Sequence, residues 1–183
     1  IVPAISSVTL PSNNTYVSGE NLNFTVNYDD NITVNISGGT PRLALTLGAA
    51  TQFASYVSGS GTSALLFRYT VQTVDLDSNG ISLNTTLDPN SGTLQDNASN
   101  TASNNLGSIG SLASVLVDAQ KPVVAEVTPV VTPDNNATPN VTFTSTEAGT
   151  LTVGGSCGSS DEGAVNTGTT TITLTKTNNS TPL

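Results

Sequence analysis

The alternation of apolar and polar residues along this chain predicts an all-β fold built from antiparallel β-sandwiches. The clearest example runs over residues 21–28, where every second residue is apolar. A period of two buries one face of a strand. Clusters of Gly, Pro, Asn and Ser separate such segments, and no segment shows a helical period. Short strands without intervening helices are typical of an antiparallel sandwich or barrel.

The predicted strands follow one another through the first two thirds of the chain. The alternating segments are residues 5–10, 21–28, 43–47, 53–57, 65–71 and 115–117. Turns are predicted at residues 17–20, 37–41, 58–62 and 77–80, because each is rich in residues that tolerate tight backbone turns. We count about seven strands before residue 118, which is enough for one sandwich.

A domain junction is predicted at residues 119–122, where a strand ends and Pro122 imposes a stiff, extended exit. We assign residues 1–118 to a first sandwich and residues 123–183 to a second. Alternation returns in the second segment at residues 123–127, 140–143, 151–153 and 169–174. About four strands are fewer than the seven or so of a complete sandwich. The second domain is therefore expected to be incomplete.

Charge and composition argue against several partners. Four basic residues oppose thirteen acidic ones, and the net charge of −9 would repel phosphate backbones and anionic lipid. We therefore expect no nucleic-acid partner. No apolar run approaches the ~20 residues that span a bilayer, so direct membrane insertion is not expected.

Catalysis has few residues available. The chain contains no histidine and one cysteine, Cys157, which excludes serine–histidine, cysteine–histidine and histidine–metal chemistry within it. A glycosidase pair of carboxylates needs an aromatic-lined sugar cleft, yet the chain has no Trp and only four Phe and four Tyr. We therefore expect no enzymatic activity.

An ordered series of motifs resembles one protein family. Its members in the first half are YVSGE at 16–20, GTPRLAL at 39–45, ASYVSGSGT at 54–62, LFRYTV at 66–71, DLDSNGI at 75–81, GTLQD at 92–96 and VD at 117–118. In this order the motifs resemble the immunoglobulin-like repeat domains of very large bacterial surface adhesins. Residues 97–100 depart from the pattern, because such repeats often carry a glycine there.

The resemblance implies tandem immunoglobulin-like sandwiches, an extracellular or cell-surface location and a non-catalytic role. The second half is similar to a related repeat type through AGTLTV at 148–153 and GSC at 155–157. In that type a second cysteine follows several strands later. The resemblance therefore implies that Cys157 lacks its disulfide partner in this chain.

One loop carries oxygen-bearing side chains at alternate positions, followed by glycine. Asp75, Asp77 and Asn79 supply the hard oxygen ligands that suit Ca²⁺, and Asp118 at the junction is a further candidate ligand. Calcium is thus the expected cofactor. The twelfth loop position holds Thr86 rather than the glutamate of an EF-hand. An empty polar hairpin turn, which an Asn-Gly pair favours, is the alternative.

Three functions stay open from the sequence. The first is a spacer in an extracellular adhesin or surface fibre, serving cell attachment or biofilm cohesion, with adjacent immunoglobulin-like domains as partners. The second is a self-assembling filament subunit whose second domain is completed by strands of a neighbouring copy. The third is a module that binds a glycan or a cell-surface receptor through loop aromatics, for which Tyr16 and Tyr56 are the candidates.

Overall fold

The computed structural model describes residues 1–130 and 136–176, and every regular element in them is a β-strand. The all-β prediction is confirmed. The chain divides into two compact units, Ile1–Gln120 and Lys121–Leu183. No helix of the described residues is long and apolar enough to cross a membrane.

The first unit is built from ten strands. They are β1 Ile5–Thr9, β2 Asn14–Tyr16, β3 Asn21–Asn35, β4 Arg42–Leu47, β5 Ala50–Ser58, β6 Thr62–Thr70, β7 Leu76–Asp77, β8 Ser82–Asp88, β9 Thr93–Gln95 and β10 Val115–Asp118. One large antiparallel sheet has the order β1-β3-β6-β5-β4-β8, and β9 pairs with β3 beside it. A small second sheet has the order β2-β10-β7.

Strand β3 is longer than the alternation predicts. Its register with β6 shifts between Asn27 and Ile32. Ile32 still pairs with β6, and residues 33–35 pair with β9. Ile32 is completely buried, so the irregular segment returns the strand to the core. The bulge therefore lets one strand serve two pairings.

The small sheet contains a parallel pair. The chain leaves β1 on the large sheet and crosses through Pro11 to the small sheet, where Asn14 pairs with Val115 and Tyr16 pairs with Val117. Strand β2 therefore meets β10, the last strand of the unit, running in the same direction. This pair is parallel, whereas the strands of the large sheet are antiparallel as predicted.

The two sheets of the first unit share one core of 23 buried apolar residues. Fully buried side chains come from both sheets and include Leu22, Phe24, Val26, Leu65, Phe67 and Val115. Full burial of one such side chain stabilises a fold by roughly 1.5–3 kcal/mol. Packing across the two layers thus closes this unit, as a sandwich requires.

The turn that precedes β8 depends on one glycine. Gly80 has φ of +97°, and a Cβ atom there would lie 2.4 Å from the Cα of Ala113. Both the backbone conformation and the close approach exclude a side chain. The Gly of the predicted Asn-Gly turn is therefore required by packing as well as by chain reversal.

The first unit extends two residues beyond its predicted end at residue 118. Ala119 is buried and its N–H donates to the carbonyl of Asp75 at 2.9 Å. The Gln120 side chain donates to the carbonyl of Val74 at 3.4 Å. Half of the predicted linker thus belongs to the first unit, and the division falls at Lys121.

The second unit contains seven strands in its described residues. They are β11 Val124–Thr128, β12 Asn140–Ser145, β13 Gly149–Leu151, β14 Cys157–Gly158, β15 Gly163–Val165, β16 Gly168–Thr173 and β17 Thr175–Lys176. They form a sheet of order β11-β12-β16 and two separate pairs, β13-β15 and β14-β17. Among the residues described in this unit, Phe143 and Ile172 are the buried apolar side chains. Every residue of β11 is exposed.

Candidate functional site

The carboxylate of Asp75 is buried and accepts two hydrogen bonds from the protein. The Tyr69 hydroxyl donates to Oδ2 at 2.6 Å, and the backbone N–H of Gln72 donates to the same oxygen at 2.7 Å. Burial raises the pKa of Tyr69 well above its usual range, and the hydrogen bond to Asp75 raises it further. Asp75 therefore fastens the segment before β7 to β6.

Asp77 is also buried and also accepts protein hydrogen bonds. The backbone N–H of Gly48 donates to Oδ2 at 2.7 Å, and the N–H of Asn79 donates to Oδ1 at 3.2 Å. Asn79, in the same turn, is exposed. Asp77 thus joins the β4–β5 turn to β7, the strand in which it lies.

Asp118 lies on the opposite side of the small sheet from these two carboxylates. It pairs with exposed Leu76, whereas Asp77 pairs with buried Val117. Residues directly opposite each other in a ladder point to the same face. Asp118 therefore faces outward, while Asp75 and Asp77 face inward, and the four predicted calcium ligands do not converge on one point.

The hydrogen bonds explain Asp75 and Asp77 without a metal ion. No group of three or more His, Cys, Asp and Glu side chains within residues 1–130 and 136–176 is arranged to hold a metal. The two carboxylates fit a structural role, in which each buried side chain accepts backbone N–H groups. Calcium binding by this loop stays a prediction, which a calcium titration tests.

The two tyrosines that the sequence offered as loop aromatics are both engaged within the fold. Tyr16 is buried, and its hydroxyl donates to the carbonyl of Ser12 at 3.0 Å. Tyr56 packs edge-on against Phe67 with ring centroids 5.8 Å apart, and its hydroxyl accepts the N–H of Ser60 at 2.8 Å. Neither ring is presented at a loop tip for a ligand.

The departure from the repeat pattern at residues 97–100 has a local explanation. Ser99 adopts φ of +63°, a left-handed conformation that favours glycine. Asp96 accepts hydrogen bonds from the N–H groups of Ala98 and Asn100 and from the Asn100 side chain. The Asn100 side chain, with these backbone donors, lowers the pKa of Asp96. The carboxylate thus organises a turn in which no glycine is present.

Both arginines of the chain lie in one row across the large sheet. Asn23 pairs with Arg68, Arg68 with Ser55, Ser55 with Arg42, and Arg42 with Asp88, across β3, β6, β5, β4 and β8. These five residues, which we call the arginine row, are on the outer face, because their chain neighbours Leu22, Phe67, Ala54, Leu43 and Leu87 are buried. With adjacent strands ~4.8 Å apart, the two arginine backbones are about 10 Å apart.

The Arg42 guanidinium is held from two directions. Its Nε donates to Oδ2 of Asp88 at 2.8 Å, and its Cζ lies 4.0 Å from the ring centroid of Phe53, which is 40% exposed. The hydrogen bond from Arg42 lowers the pKa of Asp88, and the backbone N–H of Asn90 adds to this effect. Nε of Arg68 likewise donates to Oδ1 of Asn23 at 2.8 Å.

A shallow groove of about 200 Å³ opens beside the Arg42 end of the row. Its lining includes Ala44, Thr46, Thr51, Ser82 and Asn84. The pairing of β4 with β8 is irregular between Leu43 and Leu45, beside this groove. The groove therefore presents hydroxyl and amide groups next to a fixed guanidinium.

The sequence alone did not indicate this surface. Arg42 and Arg68 occupy polar positions of two alternating strands, which marks them as outward-facing and no more. Their alignment depends on the register of β5 with both β4 and β6. Register between strands is a non-local property.

A second concave surface lies in the second unit. It is an apolar groove of about 220 Å³ whose lining includes Pro122, Val124, Phe143, Leu151 and Val165. Cys157 in the same unit is an exposed free thiol.

Comparison with protein-family models, with curated proteins and with solved structures finds no match to this chain. The class is defined by the fold itself, which is that of an all-β protein with a sandwich-like first unit.

Proposed function

We propose that this chain is a non-catalytic structural repeat of an extracellular adhesin or surface fibre, in which immunoglobulin-like units act as spacers. The observation that carries the proposal is the parallel pairing of β2 with β10. These strands stand near the beginning and at the end of the first unit. Tension along the chain first meets the antiparallel pair of β1 with β3, and it then acts on the bonds between β2 and β10.

The geometry of that pair suits a load-bearing link. Tension draws β2 toward its N-terminal end and β10 toward its C-terminal end, and parallel strands then slide along a common axis. The interstrand hydrogen bonds of such a pair share the load instead of opening one at a time. The side chains of Val115 and Val117 in β10 are fully buried, and their packing also holds this strand in place.

Further contacts secure the end of β10. The N–H of Ala119 donates to the carbonyl of Asp75, and Asp118 pairs with Leu76 in β7. Asp75 is in turn bonded to Tyr69 of β6. A force that leaves the unit at Gln120 is therefore distributed into both sheets.

Single-molecule stretching of the chain, held at its two ends, tests the proposal. Alternate residues of an edge strand direct their N–H groups toward the neighbouring strand. The variants Asn14→Pro and Thr15→Pro each remove one backbone N–H from β2, and only one of these two N–H groups is bonded to β10. We expect the variant that loses the bond to unfold at a markedly lower force than the other proline variant.

The two proline variants serve as controls for each other, because both impose the same restriction on the backbone of β2. Equal unfolding forces for wild type and both variants would contradict a load-bearing role for this pair. Turnover of a substrate that depends on a residue of this chain would contradict the non-catalytic role.

A filament subunit is the second candidate function, favoured by one observation. Among the described residues, strand β11 is an edge of its sheet and is exposed throughout. Val123, Val124 and Val127 are 54–64% exposed. An exposed apolar edge favours addition of a strand from another chain. Concentration-dependent formation of ordered fibres by the purified chain would support this candidate, and a monomer at all concentrations would contradict it.

A further inference from the structure

The first unit is acidic and repels anions overall, and the arginine row is the place on it where two positive charges face a single negative one. Residues 1–120 contain eight acidic residues and two basic ones, and both basic residues belong to the row. Asp88 is the one acidic residue of the row, and it is bonded to Arg42. If these arginines served general solubility, nothing would require them to align across strands.

The guanidinium groups are oriented before any ligand arrives. Each arginine is anchored through Nε, to Asp88 in one case and to Asn23 in the other. In the described residues, no hydrogen bond engages the two terminal nitrogens of either group. A terminal pair of N–H donors matches a carboxylate in a bidentate manner, and an ordered side chain loses less entropy on binding.

The surroundings of the row are polar and flat. Ser55 lies between the arginines, and the adjacent groove adds the hydroxyls of Thr46, Thr51 and Ser82 and the amide of Asn84. A protein interface of ordinary stability needs an apolar centre that becomes buried. Apart from Phe53, whose ring underlies the Arg42 guanidinium, this region offers hydrogen-bonding groups that suit the hydroxyls of a sugar.

We propose that the arginine row and its groove bind a polysaccharide that carries carboxylate groups. Arg42 pairs with the carboxylate of a sugar whose hydroxyls reach Thr46, Thr51 and Ser82. Arg68, about 10 Å further across the sheet, pairs with a second carboxylate along the same polymer. The inference does not depend on the spacer role, because it concerns the outer face of one sheet and not the path of tension.

Affinity electrophoresis of the full chain in gels that contain polygalacturonate tests this site. The methyl-esterified polymer is the matched ligand control, because it keeps the sugar backbone and masks the carboxylates. We expect the wild type to be retarded by the free acid and not by the ester. A charge-assisted hydrogen-bonded pair contributes enough that Arg42→Gln and Arg68→Gln should each weaken binding about tenfold.

Lys121→Gln is the matched protein control, because it removes one positive charge from an exposed position outside the row. We expect it to change the affinity by less than about twofold, a difference well below the ~1.4 kcal/mol that tenfold represents. Arg68→Gln keeps the test valid even if Arg42→Gln disturbs folding, and a melting curve checks both. Ser82→Ala should also weaken binding of polygalacturonate, because it removes one hydroxyl of the groove.

Three results would overturn the proposal. The first is a wild type that polygalacturonate does not retard at low salt. The second is a loss in Lys121→Gln as large as that in Arg68→Gln, which would indicate net charge alone. The third is equal retention by poly-glutamate, which would indicate an acidic peptide rather than a sugar polymer.

Discussion

The first unit buries 23 apolar residues in one core, whereas in the described part of the second unit only Phe143 and Ile172 are buried apolar side chains. Both units consist of short strands with alternating patterns. They differ in the second layer. In the first unit a small sheet covers the large one, while the described residues of the second unit form one sheet of three strands and two isolated pairs.

The comparison teaches that alternation specifies which face of a strand is apolar but does not supply what covers it. Phe24 and Phe143 occupy similar positions in alternating strands. Phe24 is completely enclosed by the shared core, whereas Phe143 lines an open apolar groove. Stability of the chain should therefore be concentrated in the first unit.

Truncation of the core should have the largest effect. Phe24→Ala removes a fully buried ring, and we expect it to destabilise the main unfolding transition by about 3–5 kcal/mol. Phe143→Ala is the matched variant, and it should leave that transition unchanged because Phe143 lies outside this core. Urea unfolding followed by circular dichroism measures both. A shift as large in Phe143→Ala as in Phe24→Ala would mean that the two units unfold as one.

Loss of the buried Asp75 carboxylate should have the next largest effect. Asp75→Ala leaves the Gln72 N–H and the Tyr69 hydroxyl without their acceptor, at a cost of about 1–3 kcal/mol. Asp118→Ala removes an exposed carboxylate and should stay within about 0.5 kcal/mol. We expect the same difference in the presence of a calcium chelator, since the partners of Asp75 are protein groups. A loss seen only with calcium present would favour metal binding instead.

Acid should destabilise the first unit through Asp88 and Asp96. Both carboxyl groups have pKa values in the folded state below their ordinary value of 3.8. Their contribution is therefore present above about pH 4 and is lost as pH falls through the folded-state pKa. Asp88→Asn should flatten the acid limb of a stability–pH curve. An acid limb identical in wild type and Asp88→Asn would contradict this assignment.

Alkali should act on the same unit through two buried tyrosines. Burial raises the pKa of Tyr28 and Tyr69 above the ordinary value of 10.0. Each group therefore binds its proton more tightly in the folded state, so stability is full below about pH 10 and declines above it. Tyr28→Phe should reduce that decline in melting experiments at high pH. A steeper loss of stability at high pH in Tyr28→Phe than in the wild type would contradict this expectation.

Substitution on the exposed edge of the second unit should have the smallest effect on stability. Val127→Lys in β11 replaces a half-exposed side chain, and a change within about 0.5 kcal/mol is expected. The same change should reduce self-association, because a charged edge disfavours strand pairing. Val57→Lys, at an exposed position within the large sheet, is the control. Equal association in both variants would exclude β11 as the contact edge.

The alternating segments of the sequence predicted the longer strands well. Residues 43–47, 65–71 and 115–117 coincide closely with β4, β6 and β10. The strands β2, β7 and β9 have two or three residues each, too few for a period to be recognised. The pairing of β2 with β10 joins segments about a hundred residues apart, and no local pattern encodes such a contact.

The candidate sites show the same division between local and non-local information. Oxygen-bearing residues at alternate positions identified Asp75 and Asp77, but their partners Tyr69 and Gly48 come from other strands and turns. The arginine row depends on register across five strands. Residue types were therefore predictable, whereas their neighbours and hence their roles were not.

Hydrogen exchange of the whole chain tests the difference between the two units most directly. Amides in a closed core exchange only through large unfolding events, while those in loosely covered sheets open locally. We predict that the paired amides of β3 and β6 are protected by orders of magnitude more than those of β12 and β16. Equal protection of the two sets would contradict the account, because the second unit would then be as completely closed as the first.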